Sequence, residues 1–347
     1  MSIYYLFPKE YVLQNWKNAF LNSYLYGILI LSGGFVGDSL QKRLEIPLKY
    51  RLFLLLLPFI ILTAVFAYLP LIGWRFAFFN YRPGIPLKWS DFAGFSWFES
   101  IISSPARRME VIRVMKNTLA MSGLGILTSW LPILFAIMLT EINNLHYKKI
   151  VQTLTTVPNF ISWVMVYSFA FMLFSVDAGL VNRLLMDMGI INSGINFLLS
   201  GDHIWLKMTA WNLWKGLGWG AIIYLAAISG IDQELYEAAK IDGAGRWGQI
   251  MHITVPSLLP TYFVLLMLSV ANLINNGMDQ YFVFRNAFNN NTIEVLDLYV
   301  YNIGFRSGST TGIPFATVIS MLKSIISVAL LFSVNALSRL LRDESIV

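Results

Sequence analysis

Apolar residues in this chain fall in long, nearly unbroken runs rather than in the period-two or period-3.6 patterns of half-buried elements. A helix that crosses the roughly 30 Å hydrocarbon core of a bilayer needs about 20 mostly apolar residues. Six runs meet that need, near residues 51–72, 118–140, 150–174, 204–229, 258–274 and 314–337. Each is apolar on all sides, as a helix in lipid or in a bundle is. A further stretch, 20–36, is interrupted by Asn22, Ser23, Ser32, Gly33 and Gly34. It reads either as a seventh span or as an amphipathic helix on the membrane surface. The pattern predicts an all-α polytopic membrane protein.

Basic residues set the expected orientation. Lys42, Arg43, Lys49 and Arg51 precede the first run, Lys148 and Lys149 separate the second and third, Lys240 and Arg246 separate the fourth and fifth, and Arg339 and Arg342 follow the sixth. All four groups lie on one side if both ends of the six-span core are cytoplasmic. The segment after the first run opposes this, with Arg75, Arg82, Lys88, Arg107, Arg108 and Arg113 on the outer side. An interfacial helix over 106–116 would account for part of that charge.

Composition agrees with the pattern. Of 347 residues, 56% are hydrophobic and 13% charged, where a soluble domain carries nearer 25% charge. The net charge of +6 is modest and forms no basic stripe of the kind nucleic acid requires. No cysteine is present, which excludes disulfide and thiolate chemistry. His146, His203 and His252 are far apart in sequence and read as polar loop or interface residues. The first residues lack the features of a cleavable signal peptide. No fixed-period repeat or low-complexity tract appears, and the longest polar pieces, 73–116 and 275–312, are too short for a large separate core.

Charges gather at "YEAAKIDGAGRWGQIMHITVP", between the fourth and fifth runs. Gly243, Gly245 and Gly248 have the G-x-G-x-x-G spacing of a dinucleotide site. That fingerprint needs a strand before the glycines and a helix after them. Here the preceding "QELYEAAKI" favours helix, with Asp232 as its N-cap. The phosphate-binding pattern G-x-x-x-x-G-K-[ST] is absent from the chain. The alternative is a helix–turn–helix at the cytoplasmic face. Gly243 would take positive φ and end the first helix. Trp247, Ile250 and Met251 would form an apolar stripe, and Pro256 would close the element. Spacing alone fits a knob that docks on another protein as well as a loop packed on its own bundle.

The residues Glu237, Ala238, Ala239, Asp242, Gly243 and Ala244, followed by Ile253, Val255 and Pro256, resemble the EAA loop of ABC importer permeases. "NTLAMSG" (117–123) and "VPNFISWVM" (157–165) resemble other parts of that core. "DQYFVFRN" (279–286), "LDLYVYNIGF" (296–305) and the sixth run resemble the carbohydrate-uptake branch, maltose-type and LplB-like. Val255 stands where the family pattern has Leu. The resemblance implies a six-helix, type I permease core over 49–342, with the coupling loop at 230–257. Residues 1–48 would be an N-terminal extension and 343–347 a tail. It further implies a bacterial plasma membrane location and a second, different permease subunit. Two ATPase subunits would carry ATP and Mg, with no cofactor on this chain. An extracellular solute-binding protein would deliver an oligosaccharide.

Two polar clusters within the runs are candidate sugar contacts, since polar groups facing lipid are costly. "WNLWKGLGW" in the fourth run supplies Trp211, Asn212, Trp214, Lys215 and Gly216, with aromatic faces to stack on sugar rings and amides to bond hydroxyls. Gly216 and Gly218 would let a helix or ligand approach the backbone. "NLINNGMDQYF" supplies Asn272 and Asn276, expected on one helical face, with Asp279 and Gln280 about a turn later. In the maltose-type permeases the matching stretches hold the ligand, which implies Asn212, Trp214, Gly216, Asn276, Asp279 and Gln280 here. The competing readings are interfacial belt roles for Trp211 and Trp219, cross-helix packing for Asn272, and pairing or snorkelling for Lys215. Asn159, Ser162 and Trp163 read as structural or gate-lining. Two other functions compete. An ion-coupled sugar carrier would show inverted repeats and buried acids, and a membrane enzyme would show a paired acid–base constellation. Neither signature stands out.

Overall fold

The computed structural model describes residues 48–306 and 312–342. The expected N-terminal extension with its 20–36 helix, and the 343–347 tail, lie outside the described residues, apart from Leu48 itself. Helices account for most of the described chain, and the one β contact among these residues is an isolated bridge between Phe79 and Phe92. Four helices are long and apolar enough to cross a membrane, or up to six if each of two bent pairs is one span.

The chain forms two compact units, Met1–Leu71 and Ile72–Val347. In the first, helix α1 (Leu48–Thr63) continues into a π-turn at Ala64–Tyr68, where the Leu69 amide reaches back to the Ala64 carbonyl. The wider turn falls just before Pro70, whose missing N–H and bulky ring disrupt regular α-helix. The exposed side chains of Phe53, Phe59 and Phe66 mark a lipid-type surface.

The second unit is a bundle. After α2 (Ser96–Ser103), helix α3 (Pro105–Leu127) begins with Pro105 in its first turn, where a missing N–H costs nothing. The interfacial helix expected over 106–116 is therefore not separate; it is the first part of α3, continuous with the second span. Arg107 lies over the rings of Trp97 and Phe315, and Arg113 pairs with Glu294 at 2.8 Å. Internal partners thus occupy part of the charge that opposed the expected orientation. Helix α4 (Leu131–Thr140) completes this span.

The third run is not one helix. Helix α5 (Leu145–Thr156) passes through a 3-10 turn at Val157–Phe160, breaks at Ile161, and restarts as α6 (Trp163–Phe174), bent by 110°. Pro158 opens the 3-10 turn, and the Ser162 hydroxyl accepts the Met165 amide at 3.4 Å to start α6. Apolarity marked this stretch as membrane-embedded but does not encode straightness. A short helix α7 (Leu180–Asp187) follows.

Helix α8 (Ile204–Ser229) matches the fourth run and is the central strut. Its buried Ile204 and Met208 pack with Val166, Ala170 and Phe284, while Ala221 and Tyr224 pack with Ala136, Ile137 and Leu258. Gly218 is buried, and a Cβ there would meet the Thr155 carbonyl carbon at 2.4 Å.

The fifth span starts earlier than apolarity indicates. After α9 (Gln233–Ile241), helix α10 runs over Arg246–Ala271, so Pro256 lies within a continuous helix rather than closing the loop. A π-turn at Ile250–Thr254, with the Val255 amide on the Ile250 carbonyl, admits the proline. The helix also ends earlier, at Ala271. Asn272 folds its side chain onto the Leu268 carbonyl at 3.0 Å, and Gly277 takes φ +71°. Asn272 and Asn276 consequently do not share a helical face. Short helices α11 (Asp279–Phe284) and α12 (Leu296–Tyr301) precede α13 (Gly312–Arg342), which contains the sixth span.

Candidate functional site: an exposed elbow and a polar interior

The Asp232 carboxylate accepts the Glu234 amide at 3.0 Å, so the expected N-cap of α9 is formed. At the other end the Gly243 amide bonds the Lys240 carbonyl at 3.1 Å and the Ala244 amide bonds the Ala239 carbonyl at 2.8 Å. These two bonds, with Gly243 at φ +80°, make a Schellman cap. An L-residue at that φ is strained, although the space around the glycine is open. The Gln249 side chain then closes the turn, its Nε2 donating to the Ala244 carbonyl at 3.0 Å.

This elbow stands clear of the bundle. None of its α9 residues is buried, and Glu237, Ala238, Asp242 and Gly243 are exposed. Ile241 and Trp247 are 87% and 73% exposed, so an apolar surface is presented rather than packed inward. Met251 is also exposed, and Ile250 is half-buried. One side chain tethers the elbow: the Tyr236 hydroxyl bonds buried Thr254 Oγ1 at 2.9 Å, on the π-turn of α10. A force on α9 thus reaches α10 through a hydrogen bond and a short, doubly capped turn.

The polar residues of α8 separate into different environments. Lys215 Nζ donates to the Asn159 carbonyl at 2.6 Å and sits 5.5 Å from the Trp163 ring. It holds the break between α5 and α6. Trp211 packs edge-on to Trp214 and beside Phe284, partly buried in the core. Trp214 stacks on Phe169 yet stays 41% exposed, Asn212 is exposed, and a Cβ on Gly216 would touch nothing within 4 Å. Asn212 and Gly216, four residues apart, share an open face, Trp214 is open on another side of α8, and Gly218 serves helix packing.

The second stretch divides likewise. Buried Gln280 donates to the Met208 carbonyl at 2.7 Å and ties α11 to α8. Asn276 Oδ1 accepts from Ser122 Oγ on α3 at 3.1 Å. Asp279 is exposed at the start of α11, and Asn272 is exposed at the end of α10. Asn159, Ser162 and Trp163 all belong to the α5–α6 break.

Sequence reading missed a network that fixes the 285–302 segment. Asn117 Nδ2 donates to the carbonyls of Asn291 and Glu294 at 3.0 and 3.1 Å, and Thr118 Oγ1 accepts the Leu296 amide at 2.9 Å. The buried Glu294 carboxylate joins Arg113 to Asn302, whose Oδ1 in turn accepts from Arg285 at 2.9 Å. The signal was polar residues at 117–118 entering an apolar run. Also missed was the ion pair of Lys323 with Asp297, inside the sixth span and beside it.

Residues 121–343 match the family model "Binding-protein-dependent transport system inner membrane component". The chain belongs to that family. Over 296 residues it is 34% identical to Protein LplB of Bacillus subtilis (strain 168), covering 85% of this chain and 90% of the relative. It is 36% identical over 310 residues to the polygalacturonan/rhamnogalacturonan transport system permease protein YteP of the same organism, covering 88% and 94%. A chain from the crystal structure of a bacterial ABC transporter involved in import of the acidic polysaccharide alginate superposes with TM-score 0.74 at 31% identity, covering 88% of this chain and all of that one. A second crystal structure, of bacterial alginate ABC transporter in complex with alginate pentasaccharide-bound periplasmic protein, gives TM-score 0.74 over 85% of this chain and 96% of that one. The resemblance to the carbohydrate-uptake branch of ABC importer permeases holds, and the fold is that of an importer permease. This permease is a multi-pass membrane protein.

Proposed function

We propose that this permease forms one half of the translocation pathway of an ATP-driven importer of oligosaccharides or polysaccharide fragments. The observation that carries the reading is the exposed, doubly capped α9 elbow, tethered to the fifth span by Tyr236 and Thr254. Glu237, Ala238, Ala239, Asp242, Gly243 and Ala244 seat in a separate cytoplasmic ATPase, where ATP and Mg bind. Closure of two such ATPases moves the elbow and α10 together, and the cavity changes sides. The chemistry stays on the ATPases, and this chain makes and breaks no covalent bonds. A second permease chain supplies the other half of the pathway, and an extracellular binding protein delivers the saccharide. The core termini face the cytoplasm, in a bacterial inner membrane.

Within the cavity, Asn212, Trp214 and Gly216 on α8, with Asn276 and Asp279, meet the sugar. Trp211, Lys215 and Gln280 hold α8 in place through their packing and hydrogen bonds, and Asn272 ends α10. The names of the polygalacturonan/rhamnogalacturonan permease YteP and of the alginate importer support a saccharide of more than one unit.

The test is saccharide uptake and ATP hydrolysis by the assembled transporter in vesicles with its binding protein. Gly243→Val imposes a β-branched residue at φ +80°, and Glu237→Lys reverses the charge on the exposed face of α9. Both lower uptake at least tenfold while assembly persists. Normal uptake by both variants refutes the coupling role. Uptake that continues with an inactivated ATPase would instead show an ion-coupled carrier.

A further inference from the structure

Along α13, Ser320, Lys323, Ser324 and Ser327 recur at three- and four-residue spacing and share one face. Together with Asn275 and Asp297 they line a cleft of about 400 Å³, within the range of small-molecule pockets, about 300 to 1,000 Å³. Lys323 is near the centre of the apolar stretch Gly312–Ala336. At about 1.5 Å per residue it lies roughly 17 Å from the start of that stretch, close to half the bilayer core. A charged and hydroxyl-lined face at that depth is costly against lipid and belongs on a watery path or a protein contact. The opposite face of the helix carries exposed Ile325, a lipid-type surface.

The donors and acceptors in the cleft are only partly engaged. Ser320 donates to the Ala316 carbonyl at 2.9 Å and Ser324 to the Ser320 carbonyl at 3.0 Å, which leaves their oxygen lone pairs as acceptors. Ser327 accepts from Asn275 Nδ2 at 3.2 Å. Lys323 directs one donor at Asp297, whose other oxygen accepts the Gly277 amide at 2.9 Å. The remaining ammonium protons can donate to a ligand. The charges cancel, so the cleft offers hydrogen bonds of both senses without a net charge. A row of hydroxyls, each donor and acceptor at once, matches that set.

We propose that this cleft is a saccharide-binding station on the pathway, taking the hydroxyl-bearing face of a sugar unit through Lys323, Ser324 and Ser327, beyond the contacts on α8. The inference rests on the transport reading above, but its test does not depend on turnover. Because the chain has no cysteine, a single introduced thiol is the chain's unique label. Ser324→Cys, Ser327→Cys and the control Ile325→Cys are placed in the assembled transporter in vesicles and treated with a charged, membrane-impermeant methanethiosulfonate. The expected result is labelling of both serine positions at least tenfold faster than the control. Maltotetraose or tetragalacturonate at millimolar concentration then slows labelling of Ser324→Cys, and Ser327→Ala in that background raises the concentration needed about fivefold, as loss of one hydrogen bond predicts. Labelling as slow as at Ile325 overturns the proposal, because the cleft then faces lipid or is sealed by the second permease. Fast labelling that neither saccharide slows overturns the sugar assignment. Protection without uptake in the parent transporter counts against the transport reading and leaves the station standing.

Discussion

Gly216 and Gly218 lie two residues apart on the same helix, and alanine at each should have opposite effects. At Gly218 the new Cβ would sit 2.4 Å from the carbonyl carbon and oxygen of Thr155 and 2.7 Å from the Thr156 nitrogen. Non-bonded carbons rest at about 3.5–4.0 Å, so α5 and α8 must separate by roughly 1 Å. These are backbone atoms, and no rotamer change relieves them. Overpacking of this kind costs about 1–3 kcal/mol, and the separation also pulls the Asn159 carbonyl from Lys215, a charge-assisted bond of 2.6 Å with a contribution of about 1.5–3 kcal/mol. Alanine's helix propensity returns about 1 kcal/mol. The net loss for Gly218→Ala is therefore about 1.5–5 kcal/mol. Gly216→Ala meets nothing within 4 Å and should gain up to about 1 kcal/mol. Thermal unfolding of the assembled transporter in nanodiscs, read as apparent Tm, should place Gly218→Ala several degrees below the parent and Gly216→Ala level or above. A Gly218→Ala transporter as stable as the parent, or two variants equally weakened, would refute the close-approach argument.

Other substitutions test separate parts of the structure. Asp232→Ala removes the α9 N-cap and should cost about 1 kcal/mol, seen as faster hydrogen exchange over Gln233–Tyr236 and weaker coupling of ATP hydrolysis to uptake. Glu294→Ala strands Arg113 and Asn302 and should lower apparent Tm more than Glu294→Gln, each by an amount corresponding to about 2 kcal/mol or more. Lys215→Met should lower Tm while leaving the ratio of neutral to acidic saccharide uptake unchanged; a shift in that ratio would give Lys215 a direct role in substrate choice. Tyr236→Phe loses the bond to Thr254 and should reduce uptake per ATP hydrolysed with little change in thermal stability.

Membrane embedding, the fourth span and the elbow were legible in the sequence because each rests on local physics. Apolar run length reports burial in lipid, Asp232 and Gly243 report helix ends through capping and positive φ, and both readings agree with the structure. The α5–α6 break and the extent of α10 were not legible in that way. Apolarity is the same in a straight helix and a broken one, and it carries no mark of the π-turns that precede Pro70 and Pro256.

The polar residues divide along the same line. Their chemistry is written in the sequence, which marks Asn212, Trp214, Lys215 and Gln280 as groups for a cavity or partner rather than lipid. Which of them bonds a neighbouring backbone and which meets open space was decided only by packing. Lys215 reaches a carbonyl 56 positions away in sequence and Gln280 one 72 away, whereas the Lys323 stripe opens into a cleft. Hydrogen-bond satisfaction is a property of atoms brought within about 3 Å, and a one-dimensional pattern fixes such distances only within a helix.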